Sequence, residues 1–145
     1  MRYKELKLCT VVILGLISNT SDASDKRLDQ KQIYELRKDC GQSAVEFSKR
    51  YNLCDGKGSY TNHYNINLNT CFIDMKETCS DKHKGKNGKA IFAEQLLDVN
   101  ENKEYAAYLG PFLEVDGQPI SCSVGAKHCK TILEFQQLIK PYMEE

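Results

Sequence analysis

The stretch Tyr60-Thr61-Asn62-His63-Tyr64-Asn65-Ile66-Asn67-Leu68-Asn69-Thr70-Cys71-Phe72-Ile73-Asp74-Met75 reads as two short strands about an Asn-rich turn. It holds a cysteine, a histidine and two tyrosines within one hairpin. Alternate side chains of a strand face opposite sides. Cys71, Ile73, Met75 and Cys79 therefore share one face, with Glu77 interrupting the apolar run, and His63 lies on the other face with Phe72.

Upstream, Ile33, Leu36, Cys40, Ala44, Phe47 and Tyr51 recur at steps of three or four. That is one stripe of an amphipathic helix over residues 30–50, charged on its other side. Ser24, Asp25 and Asp29 are available as its cap. Gly41 costs such a helix about 1 kcal/mol relative to Ala. Residues 52–59 form a glycine-punctuated loop.

Downstream, residues 80–89 form a lysine-rich loop. Residues 90–97 read as a strand that reverses through 98–103 into a second strand at 104–109. Residues 112–115 and 119–122 flank Asp116-Gly117, a strong hairpin turn pair. Pro119 cannot donate to a ladder, which puts its strand at a sheet edge. Thr131 with Glu134 is a capping box for a closing helix lined by Ile132, Phe135, Leu138 and Ile139. Pro141 is expected to stop that helix, leaving residues 142–145 as a tail. The order helix, strands, helix predicts an α+β domain, with an N-terminal amphipathic and a C-terminal helix packed on a small antiparallel sheet.

The chain has 145 residues and formally balanced charge. Arg2, Lys4 and Lys7 precede an apolar run at residues 8–17 that is too short to span a bilayer comfortably, and Ser21-Asp22-Ala23 places small residues where a signal peptidase reads. Residues 1–23 thus read as a secretory signal, leaving one disulfide-containing domain over residues 24–145 with no membrane span. Cys9 lacks the small residues before it that lipid attachment requires. The mature chain carries 17 basic and 18 acidic residues, a net charge of −1. Such a chain has no global field for nucleic acid or anionic lipid.

Six cysteines remain after the signal, at positions 40, 54, 71, 79, 122 and 129. An even number in an oxidising compartment implies disulfides, and the spacings fit zinc ligation poorly. A helix packed on the Cys71 face favours Cys40 with Cys71 and Cys54 with Cys79, leaving Cys122 with Cys129. No metal and no cofactor is expected.

His63 is the leading candidate for acid–base chemistry, in a small hydrolase, yet the sequence places no second catalytic group beside it. His128 next to Cys129 lacks a separately positioned base. Asp98, Asn100, Asn102 and Glu104 alternate like the start of a calcium loop, but Lys103 stands where a glycine is needed and Leu109 where a glutamate is. The lysines at 82, 84, 86 and 89 read as a solvated loop. No nucleotide, zinc-protease or nucleophile-elbow motif is present.

The pattern His63-Tyr64-Asn65-x-x-Leu68-Asn69-x-Cys71-Phe72, with Cys122, Cys129, Glu134-Phe135 and Lys140-Pro141-Tyr142-Met143 later, resembles one recurring in small, uncharacterised exported proteins of bacteria. The resemblance covers most of the mature chain and implies export from a bacterial cell but no activity. Cys54 and Cys79 stand outside the pattern. The expectation is a small, non-catalytic interaction module, periplasmic or secreted, for a protein or cell-envelope partner. Its candidate surface is Tyr60, His63, Tyr64 and Asn65 with Tyr105 and Tyr108, because tyrosine is enriched at interfaces. The alternatives are the hydrolase and a structural envelope component.

Overall fold

The computed structural model describes residues 28–51, 58–79, 90–111 and 117–145. Helix α1 (Gln30–Arg50) is followed by strands β1 (Gly58–Asn65), β2 (Thr70–Cys79), β3 (Ile91–Asp98), β4 (Lys103–Pro111), β5 (Ser121–Val124) and β6 (Lys127–His128), then helix α2 (Ile132–Met143). The strands form one antiparallel sheet in sequence order. The α+β expectation is met. The signal reading, Cys54, the lysine loop and residues 112–116 lie outside the described residues.

The hairpin registers as its alternation requires, with His63 opposite Phe72 and Tyr64 opposite Cys71. On one face Ala44 and Phe47 of α1 pack on Ile73, Met75 and Leu97. On the other, Phe135 and Ile139 of α2 cover Phe72, Leu96, Ala106, Tyr108 and Val124. One helix per face leaves β2 buried nearly end to end. Each large side chain so enclosed contributes about 1.5–3 kcal/mol of transfer free energy.

Disulfides join Cys40 to Cys71, tying α1 to β2, and Cys122 to Cys129, closing the β5–β6 hairpin. Cys79 is also disulfide-bonded. Asp29 caps α1, its side chain accepting from the Gln32 N–H while Gln32 returns to the Asp29 N–H.

Two expectations are corrected. The helix does not stop at Pro141; α2 runs on to Met143 with Pro141 inside it. Proline there forfeits the one hydrogen bond that an N–H at that position would make to the Gln137 carbonyl, and only Tyr142 and Met143 of the helix follow it. The strand near Pro119 begins only at Ser121, so proline lies before the ladder. The strand is not the edge, because two-residue β6 pairs outside it.

Candidate functional site

The six residues of the expected surface do not form one. Tyr60 and Tyr64 lie on the α1 side of the sheet, and His63, Tyr105 and Tyr108 on the α2 side. Tyr64 is buried, and its hydroxyl donates to the Asn69 Oδ1 at the hairpin tip. Asn69 takes a left-handed φ of 50°, which suits asparagine.

Asn65 is 1% exposed, and its side chain is fully engaged. Its Nδ2 donates toward the carbonyls of Pro141 (3.0 Å), Tyr142 (3.2 Å) and Glu144 (3.4 Å). Its Oδ1 accepts from the Leu68 N–H. Asn65 therefore caps the carbonyls at the C-terminal end of α2. Tyr108, also 1% exposed, packs its ring near Phe92 and Phe135. Tyr105 meets Phe72 and Tyr142 edge to face, with Lys103 over its ring. Tyr60, His63 and Tyr105 remain half-exposed. The Nε2 atom of His63 is buried without a hydrogen-bond partner among the described residues, so no carboxylate or tyrosine activates it there.

The calcium-like run is explained by its turn. Asp98 Oδ1 accepts from the N–H groups of Asn100 and Glu101, and Asn102 has a φ of 51°.

That turn helps to build a hollow absent from the sequence reading. Where α1 ends, Phe47, Arg50 and Tyr51 meet Val99, Asn100 and Asn102 around a cavity of about 410 Å³. Phe47 and Tyr51, one helical turn apart, stack with centroids 5.1 Å apart. The Tyr51 hydroxyl donates to Gln95 Oε1 at 2.8 Å, and Gln95 Nε2 donates to Glu104 at 2.9 Å. This chain fixes the aromatic ring. Burial and then the Glu104 charge push the Tyr51 phenol above its ordinary pKa, so it stays a neutral donor. Arg50 directs its Nε at the Glu46 carbonyl and makes no ion pair among the described residues. A second hollow of about 310 Å³ opens on the β1 side, lined by Ser48, Lys49, Tyr60 and Glu77 and sharing Tyr51.

A second polar group is buried beneath α2. Lys76 Nζ lies 3.1 Å from Asp74 and 3.0 Å from Glu94, and Gln136 of α2 donates to Glu94. Burial first, then the Glu94 charge, push the Asp74 carboxyl up to about 6 against the pull of Lys76. Burial opposes the charged Lys76, but hydrogen bonds and charge from Glu94 and Asp74 outweigh it and hold that ammonium above its ordinary pKa. The Tyr108 phenol is raised by burial and then by Glu94. This cluster has no opening among the cavities described, whereas the Tyr51 hollow faces solvent through exposed Arg50, Asn100 and Asn102.

Among the described residues no group of three or more metal-ligating side chains occurs, and no helix is long and apolar enough to cross a membrane. No protein-family model, curated protein or solved structure matches the chain.

Proposed function

We propose that the protein is a small exported binding module, non-catalytic and disulfide-stapled, that holds a saccharide unit of an envelope polymer in the hollow beside Tyr51. The observation that carries this reading is the cavity lining: aromatic surface, two exposed side-chain amides and an arginine that makes no ion pair among the described residues. A sugar ring offers a C–H face to an aromatic ring. Its hydroxyls need partners that both donate and accept, as the amides of Asn100 and Asn102 do. Arg50 adds a fork for a carboxylate, which favours an acidic sugar. The size falls within the range of small-ligand sites, about 300–1,000 Å³. Export is supported by the basic-then-apolar start, the paired cysteines and the resemblance to exported bacterial proteins.

The test is calorimetric titration of the oxidised protein with soluble cell-wall fragments, with and without uronic or muramic carboxylates. Saturable binding without turnover, lost in Arg50→Ala and Asn100→Ala variants that keep the wild-type circular dichroism, supports the reading. Absence of binding to every fragment, or binding indifferent to both substitutions, removes it.

A further inference from the structure

We propose that the chain forms a two-fold symmetric dimer in which β1 pairs with β1 of a second copy and the two α1 helices pack side by side above that seam. This inference is independent of the saccharide hollow. An edge strand exposes unpaired backbone groups, and proteins ordinarily protect such edges with charge, proline, bulges or shortness. The two edges of this sheet differ in that respect. At one edge β6 is two residues long and includes Lys127. At the other, β1 has eight residues, Gly-Ser-Tyr-Thr-Asn-His-Tyr-Asn, with no charged residue, no proline and an unbroken register to β2. Among the described residues no strand pairs with its outer side.

The helix above it repeats the message. Besides its buried stripe, α1 carries Tyr34, Lys38, Gly41, Val45 and Ser48 at steps of four, three, four and three, a second line along one side. That side faces β1, since a Cβ on Gly41 would stand 4.0 Å from Asn62 Nδ2. The one charge on the line, Lys38, is paired with Glu35 of the same helix, and Tyr34 and Val45 are 65% and 41% exposed. Thus an uncharged strand edge and a helix line whose one charge is paired within its own helix lie side by side and face the same way.

Symmetry selects a second copy as the occupant. A two-fold axis perpendicular to the sheet runs β1 antiparallel to its mate and keeps both α1 helices on one face. Strands are about 4.8 Å apart, and α1 lies over β1 and β2, which brings the two helix axes to about 10 Å, the spacing of packed helices. The small Gly41 and Ser48 permit that approach. The tail beyond α2 bounds the seam at the Asn65 end, where Glu145 pairs with Arg37. The open stretch is then residues 58–63, and its centre sets Thr61 against Thr61 of the second copy. Self-pairing of an uncharged strand opposes no like charges.

Sedimentation equilibrium of the oxidised protein tests this. The wild type is expected to dimerise reversibly. Val45→Glu places two carboxylates beside the axis and Thr61→Lys two ammonium groups across it, so each raises the dimer Kd about tenfold or more. Ile120→Glu, a change at an exposed apolar residue beside β5, leaves the Kd unaltered. A chain monomeric up to about 1 mM overturns the proposal. So does a dimer that neither substitution at the seam weakens, or one that Ile120→Glu weakens equally.

Discussion

Asn65 joins the hairpin tip to the end of α2 through a single amide, and its removal has a definite cost. Asn65→Ala strips the side-chain donor from carbonyls of residues 141, 142 and 144 and leaves the Leu68 N–H without its acceptor. Unsatisfied buried groups cost about 1–3 kcal/mol, so the urea midpoint is expected to fall accordingly. Asn65→Asp should be worse at neutral pH, because it turns a negative charge on the negative end of a helix. Asp74 makes a different prediction. Two carboxylates share one lysine, and the Asp74 carboxyl is raised to about 6 from 3.8. The folded state then binds the Asp74 proton more tightly than the unfolded state, so this group's contribution to stability falls as pH rises between about 4 and 6. The lost stability is on the order of 2–3 kcal/mol at neutral pH, at about 1.4 kcal/mol per pKa unit. Asp74→Asn is expected to flatten that segment of the pH–stability curve and to raise the midpoint at pH 7 relative to pH 4.5. Equal pH profiles for the two proteins would contradict the assignment.

Elements carry their own tests. Gly110 lies two residues after Tyr108 on the same face, and a Cβ there would stand 2.6 Å from Tyr108 Cζ. Tyr108 is enclosed by Phe92 and Phe135 and has nowhere to retreat, so Gly110→Ala is expected to cost about 1–3 kcal/mol through overpacking. A Tyr108→Phe background should relieve part of that cost, measurable as a double-mutant cycle. The extent of α1 was legible because its apolar steps fit one helical face, and the faces of β1 and β2 were legible because side chains alternate with period two. The fate of Pro141 was not: the amide that supports the helix beyond it comes from residue 65, distant in sequence. β6 is too short to show alternation. Tyr51 reads as one more residue of a core stripe, and only its meeting with the β3–β4 turn makes it the wall of a cavity. Tyr64, Asn65 and Tyr108 look like surface chemistry in sequence because nothing local says that α1 and α2 close over both faces.

Across the molecule, the Cys40–Cys71 and Cys122–Cys129 disulfides hold different things. Cys40–Cys71 spans 31 residues and fastens α1 to the sheet, whereas Cys122–Cys129 spans seven and acts within one hairpin. Loop-closure entropy assigns about 3–4 kcal/mol to the first and about 2–3 kcal/mol to the second. Their functional weights should differ more than these values do. The Tyr51 hollow lies between the end of α1 and the β3–β4 turn, so anything that loosens α1 opens it, while the β5–β6 hairpin contributes none of its lining. The paired substitution Cys40→Ala/Cys71→Ala is therefore expected to lower the thermal midpoint and also to weaken saccharide uptake at temperatures where the sheet is still folded. Cys122→Ala/Cys129→Ala should lower the midpoint while leaving that affinity near wild type. Parallel melts and titrations of the two double variants, read at one temperature below both transitions, separate the effects. Equal losses of affinity in both would mean that the hollow depends on overall stability and not on the fastening of α1.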